Sequence, residues 1–140
     1  MKCYVDSNVF ISLIFDESGG NKLMSYYSQE FFKKAIEGKY ELAISELVIE
    51  EFCKITKLSK EEFIDYTNNY CGKAIMVKIT QKDIFEADKI NSRHHRGFSD
   101  ALHLALAKKE KCDAIITWNK KDFEFAQDEL LILDPNDLIH

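Results

Sequence analysis

Acidic side chains occur at three places where a predicted strand or helix meets a connection. Asp6 directly follows the short apolar segment at residues 2–5, and Glu51 lies in the helix after a second predicted strand. Asp100 opens a long apolar helix. Carboxylates gathered at one place repel one another unless a hard divalent cation holds them. Because such ions also stabilise charge on phosphate groups, the pattern indicates metal-dependent phosphate chemistry.

The elements that would position these acids follow from the hydrophobic pattern, which alternates between strand and helix periods. Strands are predicted at residues 2–5, 40–44, 74–79, 113–117 and 130–133. Helices are predicted at residues 8–15, 22–37, 46–57, 59–70, 80–92, 99–111 and 120–126, with a break at Gly19-Gly20. Strands alternating with helices predict the α/β class: a three-layer α/β/α sandwich around a mainly parallel sheet of about five strands.

A parallel sheet explains why acids so far apart in sequence could work together. Right-handed crossovers place the carboxyl ends of all parallel strands on one edge, where such sheets bind their ligands. Asp6 follows the first strand, Glu46 to Glu51 follow the second, and Asn119 to Asp122 follow the fourth. All three groups are therefore expected at the same edge.

Each acid also has a purely structural interpretation. Asp6 and the two residues after it could form a turn that caps the next helix. Glu46, Glu50 and Glu51 crowd the first turns of one helix, where negative charge favours the helix dipole. Asp100 and Asp122 also lie near helix starts, so no single acid decides between structure and chemistry.

Four segments resemble the PIN-domain ribonucleases, a family that includes the VapC-type toxins of prokaryotic toxin–antitoxin pairs. Tyr4-Val5-Asp6-Ser7-Asn8-Val9 is similar to the family's first strand and its Asp-Thr/Ser-Asn. Ile44 to Phe52 is similar to the second motif, whose acid lies six residues after the serine, a register that selects Glu51.

The two remaining motifs lie in the second half of the chain. Ser99 to Ala107 matches the third motif, with Asp100 as its acid. Ile116-Thr117-Trp118-Asn119-Lys120-Lys121-Asp122-Phe123 is similar to the closing motif. The family's fourth acidic position is occupied here by Asn119, with Asp122 shortly after it, so the resemblance leaves open which of the two completes the site.

The resemblance implies that the chain hydrolyses phosphodiester bonds in RNA with one or two Mg²⁺ or Mn²⁺ ions. It implies Asp6 and Asp100 as the principal metal ligands, with Glu51 binding directly or through water. Asn119 or Asp122 would complete the site. The implied catalytic residues are Asp6, Glu51, Asp100 and Asp122. Ser7, Asn8 and Thr117 would orient a carboxylate or a water molecule.

The resemblance also carries expectations about organisation and partners. A single PIN-like nuclease domain is expected over residues 1–140, acting on RNA as a homodimer, with a small antitoxin protein as a possible partner. The net charge of −5 argues against a broad, nonspecific nucleic-acid binder. The chain has no apolar run of roughly 20 residues and no signal-peptide pattern, which favours a cytoplasmic protein without membrane contact.

Several other side chains can be interpreted either as structural or surface residues or as functional ones. The clusters Lys120-Lys121, Lys108-Lys109 with Lys111, and Arg93 to Arg96 could touch phosphate, but solvated surface is the simpler explanation. His94 and His95 are expected in a loop. His103 lies three residues after Asp100 on one helix, so it is expected to hydrogen-bond that acid in a structural role. The four cysteines have no metal-ligand spacing and are expected to be buried thiols.

Three competing functions remain at this point. A haloacid-dehalogenase-like phosphatase would need an Asp-x-Asp arrangement, whereas this chain has Asp6-Ser7-Asn8. A catalytically silent PIN-like scaffold could have lost its fourth acid, as Asn119 suggests. A housekeeping RNA-processing nuclease would share the chemistry of a toxin but would not need an antitoxin.

Overall fold

The computed structural model describes residues 1–15 and 22–139, so the break predicted at Gly19-Gly20 lies outside the described residues. The strands are β1 (Lys2–Val5), β2 (Glu41–Ser45), β3 (Ala74–Val77), β4 (Ala114–Ile116) and β5 (Leu131–Leu133). The helices are α1 (Ser7–Ile14), α2 (Lys22–Ile36), α3 (Glu46–Thr56), α4 (Lys60–Tyr70), α5 (Gln81–His94) and α6 (Phe98–Lys109). Two 3₁₀ helices follow β4 and β5, at Lys120–Ala126 and Pro135–Leu138.

The five strands form one parallel sheet in the order β3-β2-β1-β4-β5. β1 lies at the centre, with Tyr4 opposite Ala43 of β2 and Ile115 of β4. Cys3, Tyr4 and Val5 are fully buried, as expected for a strand covered on both faces. The chain therefore has the predicted PIN-like α/β/α fold, and the sheet order places the ends of β1, β2 and β4 side by side.

An aromatic cluster joins the four helices α1 to α4 in one layer. Phe10 of α1 lies 5.1 Å from Phe32 of α2 and 5.2 Å from Phe63 of α4, measured between ring centroids. Phe63 in turn contacts Phe52 of α3 at 4.8 Å, edge to face. Such pairs bury large apolar surfaces and add a geometric preference of about 0.5–1.5 kcal/mol. This cluster fixes α1, which begins directly after Asp6, and α3, which carries Glu51.

Helices α5 and α6 pack against each other, and α4 and α5 each begin at a side-chain cap. Thr80 and Asp83 form a reciprocal capping box at the start of α5, and Ser59 with Glu62 does the same for α4. Both helices begin one residue after the predicted starts. The predicted third strand, however, ends two residues early at Val77, because the Ile79 N–H donates to the Glu46 carboxylate at 2.6 Å.

The end of α5 also differs from the prediction. The helix continues through Arg93 and His94, which were expected in a loop, and stops where His95 adopts a left-handed conformation with φ 53°. The Asn91 side chain then accepts a hydrogen bond from Gly97 N–H at 3.0 Å. Polar residues at 93–96 give no apolar signal, so periodicity could not locate this end.

An ion pair between the buried Asp83 and the partly exposed Lys109 links α5 to α6 and predicts acid sensitivity. Burial disfavours the charged carboxylate, but the Lys109 ammonium at 2.7 Å and two hydrogen bonds from Thr80 leave the pKa of Asp83 below its ordinary 3.8. A lowered folded pKa adds stability above about pH 4, which is lost as the pH falls through the folded pKa. We expect Asp83→Ala to cost about 1–2 kcal/mol at pH 7, and less at low pH.

Urea unfolding at pH 7 and at pH 3 measures this difference. Asp88→Ala, which removes an exposed carboxylate from the same helix, is the matched control and should change the free energy of unfolding little at either pH. An equal cost of Asp83→Ala at both values would show that the ion pair does not stabilise the fold.

Three of the cysteines, Cys3, Cys71 and Cys112, are buried free thiols, as expected, whereas Cys53 is half-buried. Burial raises the pKa of the Cys3 and Cys71 thiols to about 12, so these groups stay protonated at neutral pH. Within residues 1–15 and 22–139, no helix is both long enough and apolar enough to cross a membrane.

Candidate active site

A cleft of about 270 Å³ opens at the carboxyl edge of the sheet. It lies where β1, β2 and β4 end, which is the position predicted for a ligand site in a parallel sheet. Its lining includes Asp6, Ser7, Asn8, Glu51, Asp100, His103, Asn119 and Asp122. Seven of these eight side chains were proposed as site residues from the sequence, and the fold brings them together.

Asp6 combines the two interpretations that its sequence left open. It is the N-cap of α1, since Oδ1 accepts a hydrogen bond from Ser7 N–H at 2.7 Å. Its other oxygen, Oδ2, accepts from the Thr117 hydroxyl at 2.8 Å and from the Asn8 amide at 3.3 Å. The carboxylate is thus held from both sides while its residue lines the cleft, so the capping role does not exclude chemistry.

Asn8 and Thr117 connect the ends of β1 and β4. The Asn8 amide donates to Thr117 Oγ1 at 3.2 Å, and Asn8 Oδ1 accepts from Trp118 N–H at 3.1 Å. Thr117 Oγ1 also accepts from Asn119 N–H at 3.0 Å. Ser7 lies on the other side, where its hydroxyl donates to Glu51 at 3.0 Å. The three residues proposed to orient a carboxylate or water therefore all contact an acid of the cleft.

Helix α3 separates the three glutamates that crowd its start. Glu46 accepts the Ile79 N–H described above, and Glu46 and Glu50 both line a different groove. Only Glu51 points into the cleft. The structure therefore places the same glutamate in the cleft that the family register selects.

Glu51 is held by donors from two other helices. Ser7 Oγ of α1 donates to Oε1, Ser99 Oγ of α6 donates to Oε2 at 2.9 Å, and His103 Nε2 lies 3.0 Å from both oxygens. Burial opposes the charged form, but His103 and the two serine hydroxyls leave the pKa of Glu51 below its ordinary 4.5. Glu51 is therefore a carboxylate at neutral pH.

His103 is the most deeply buried polar group of the cleft, with 2% of its surface exposed. Its hydrogen-bond partners are Glu51 and Tyr4, whose hydroxyl lies 2.7 Å from Nδ1. The expected hydrogen bond to Asp100 is replaced by these contacts. Burial lowers the pKa of an imidazole, yet the bond to Glu51 and the charges of Asp6, Glu51 and Asp100 leave the pKa of His103 above 6.5. The carboxylates of Asp6, Glu51 and Asp100 therefore favour the protonated imidazole more strongly than burial disfavours it.

Asp100 shows the same excess of negative charge. Burial raises the pKa of its carboxyl above the ordinary 3.8, and the charges of Asp122 and Asp6 raise it further. His103 and Arg96 act in the opposite direction without cancelling the shift. Asp100 and Asp122 are therefore near enough to repel each other. Asn119 and Asp122 both line the cleft, so the lining does not determine which of the two would be the fourth metal ligand.

The donor set fits a hard divalent cation. One oxygen from each of Asp6 and Glu51 and one nitrogen of His103 lie within 4.8 Å of one another, and Asp100 and Asp122 line the same cleft. Because both His103 nitrogens are hydrogen-bonded, to Glu51 and to Tyr4, the carboxylates are the available ligands. Carboxylate oxygens are the ligands that Mg²⁺ and Mn²⁺ prefer. A cation would also relieve the repulsion that raises the pKa of Asp100. These residues can therefore hold such an ion.

Three of the candidate basic residues, Lys108, Lys109 and Lys120, pair with acids away from the cleft. Lys120 lies 2.9 Å from Asp137 and 3.3 Å from Asp134, and Lys108 lies 2.6 Å from Glu129. Arg96 is exposed and donates to the Lys121 backbone at 3.5 Å, while its charge acts on Asp100. Lys109 pairs with Asp83, and the His94 ring packs 5.0 Å from Phe125. Of these basic residues, Arg96 is the one whose charge acts on an acid of the cleft.

Sequence reasoning missed two contacts of the cleft. Tyr4 was assigned only to the buried strand, and Ser99 only to the start of α6, yet Tyr4 contacts His103 and Ser99 contacts Glu51. The spacing of Ser99 and His103, four residues apart on one helix face, is the signal that could have found Ser99.

Comparisons with known proteins agree with this geometry. The model of the PIN domain family matches residues 3–128 of the chain. The search of curated protein sequences found no match.

Several solved structures share the fold. A toxin–antitoxin complex from Klebsiella pneumoniae is 22% identical with a TM-score of 0.64, and the match covers 95% of this chain and 97% of that chain. VapBC2 from Rickettsia felis, bound to a promoter DNA fragment, is 18% identical with a TM-score of 0.66, covering 96% and 98%. VapC20 from Mycobacterium tuberculosis, a sarcin-ricin loop cleaving toxin, is 12% identical with a TM-score of 0.62, covering 92% and 96%.

Proposed function

Because this chain belongs to the PIN-domain family, we propose that it is a metal-dependent endoribonuclease and the toxin of a toxin–antitoxin pair. The observation that carries the proposal is the cleft at the carboxyl edge, where four carboxylates from different elements converge: Asp6, Glu51, Asp100 and Asp122. A structural role explains a single acid at a helix start, but it does not explain four acids in one cleft, where burial and the charges of Asp122 and Asp6 raise the pKa of Asp100.

In the proposed mechanism, Asp6 and Asp100 would be the principal ligands of a Mg²⁺ or Mn²⁺ ion, and Asn119 or Asp122 would complete the site. Glu51 would bind the ion directly or through water. When bound, such an ion would supply an activated water and positive charge for the scissile phosphate. Thr117 and Asn8 hold one oxygen of Asp6 in place, and Ser7 holds Glu51. Arg96, whose charge acts on Asp100, contacts the RNA backbone.

Removing divalent ions tests the proposed chemistry. We expect the purified protein to cleave RNA with Mg²⁺ or Mn²⁺ and to lose that activity with a chelator, because the acidic cleft alone repels the phosphate. Adding either ion in excess should restore the rate. The measurement is the appearance of internal RNA ends on a denaturing gel. Cleavage that persists after chelation would contradict metal dependence, whereas Mn²⁺ binding without cleavage would favour a silent scaffold.

The toxin assignment is supported by the solved structures with the same fold, which include toxin–antitoxin complexes. A small antitoxin is the proposed partner, and the protein acts as a homodimer. We expect induced expression of the chain to stop growth, and co-expression of a small protein encoded beside it to restore growth. Optical density over time measures both effects. Normal growth under strong induction, together with cleavage in vitro, would favour a housekeeping nuclease.

A further inference from the structure

A closed chain of hydrogen bonds lies behind the cleft and begins and ends on helix α3. His103 Nε2 contacts both Glu51 oxygens at 3.0 Å, and its Nδ1 lies 2.7 Å from the Tyr4 hydroxyl. The Tyr4 hydroxyl also lies 2.7 Å from Ser45 Oγ. Ser45 caps α3 by accepting the Val48 N–H at 3.1 Å. The His103 imidazole is thus hydrogen-bonded to the Glu51 side chain on one side. On the other side, through Tyr4 and Ser45, it is connected to the first turn of α3, the helix that carries Glu51.

The roles of donor and acceptor along this chain follow from chemistry. The Glu51 carboxylate only accepts hydrogen bonds, so Nε2 of His103 carries a proton towards it. A tyrosine hydroxyl both donates and accepts, so Tyr4 can serve Nδ1 and Ser45 Oγ together. Burial, with the charges of Asp6 and Glu51, raises the pKa of Tyr4 well above 10, which keeps that hydroxyl protonated. Every side-chain polar atom in this row of hydrogen bonds, from Glu51 to Ser45, therefore has a partner.

Burial makes this arrangement rigid and costly to leave incomplete. Tyr4 is fully buried, and His103 packs edge to face against the Tyr4 ring at 5.6 Å and the Phe123 ring at 6.0 Å. Two aromatic rings therefore fix the plane of the imidazole, and the Tyr4 hydroxyl fixes its rotation. Leaving a buried polar group without its partner is unfavourable, so the ring has one preferred orientation.

We propose that Tyr4 and His103 are positioning residues that hold the Glu51 carboxylate beside Asp6 and thereby set the affinity of the cleft for a divalent cation. The inference rests on the proposed function, because that function supplies the divalent cation. The positions of Tyr4, His103 and Glu51 come from the hydrogen bonds described above. Tyr4 does not line the cleft, and its hydroxyl reaches Glu51 through His103 on one side and through Ser45, the cap of α3, on the other.

Tyr4→Phe is the decisive variant, because it removes one buried hydroxyl and keeps the ring. We expect it to weaken Mn²⁺ binding about tenfold by calorimetry, the usual effect of losing a partner behind a ligand. His103→Leu should weaken binding more, and His103→Gln less than His103→Leu, since an amide still donates to Glu51. Thr67→Val removes a comparable buried hydroxyl, which donates to Ile64 O at 2.9 Å, and should leave binding unchanged.

A second measurement does not depend on metal or activity. In metal-free protein, the carboxyl carbon resonance of Glu51, assigned by its loss in Glu51→Gln, should shift in Tyr4→Phe and stay in place in Thr67→Val. An unchanged resonance with unchanged Mn²⁺ affinity in Tyr4→Phe would overturn the inference. If the wild-type protein binds no Mn²⁺, the proposed function fails, and the resonance alone then decides whether Tyr4 positions Glu51.

Discussion

Asp6→Asn should lower the rate of RNA cleavage by about three orders of magnitude or more. A bound divalent ion contributes several kcal/mol to a phosphate reaction, and each 1.4 kcal/mol or so corresponds to a factor of about ten in rate. The substitution removes the negative charge from a residue that lies centrally in the cleft, between Glu51 and Thr117. Single-turnover cleavage of a labelled RNA with saturating Mg²⁺ measures the effect.

The fold should survive this change. Asparagine caps a helix about as well as aspartate, so α1 can still begin at Ser7. Glu50→Gln is the matched control, because Glu50 precedes Glu51 on α3 but lines a different groove. This variant should cleave RNA at the wild-type rate. If Asp6→Asn cleaves as fast as the wild-type protein, Asp6 does not belong to the catalytic centre.

Phe52→Ala should cost about 3–5 kcal/mol of folding free energy, the range for removing a fully buried aromatic side chain. Phe52 is 0% exposed and packs edge to face on Phe63 at 4.8 Å. It follows Glu51 directly on α3, so the same helix joins the core to the cleft. Urea unfolding followed by circular dichroism measures the loss, which is a large part of the stability of a domain of this size.

Phe85→Ala makes the same substitution on the surface. Phe85 is 60% exposed, with the Lys89 ammonium 4.8 Å above its ring, so we expect a loss of less than about 1 kcal/mol. Equal losses for the two variants would mean that the aromatic cluster does not hold α3 in place.

The order and type of the elements could be predicted because local patterns determine them. β1 and β4 are short apolar runs, and Ser45, Ser59 and Thr80 mark helix starts with side chains that cap in the structure as well. Parallel topology then follows from the alternation of strand and helix. The placement of Asp6, Glu51 and Asp100 at one edge required only that topology and the family register.

The contacts behind the cleft could not be predicted because they join residues distant in sequence. Tyr4 and His103 are separated by 99 positions, and no local pattern indicates that their polar atoms lie 2.7 Å apart. Likewise, Glu46 ends β3 early through a contact 33 residues away. Side-chain partners across a sheet depend on packing, which periodicity does not encode.

The most direct test of the metal site is an anomalous difference map from crystals of the full chain soaked in Mn²⁺. We predict a peak in the cleft, in contact with carboxylate oxygens of Asp6 and Asp100, and its disappearance in Asp6→Asn crystals treated identically. A wild-type map without a peak in the cleft, at Mn²⁺ concentrations that support RNA cleavage, would contradict the central claim that these carboxylates hold the catalytic ion.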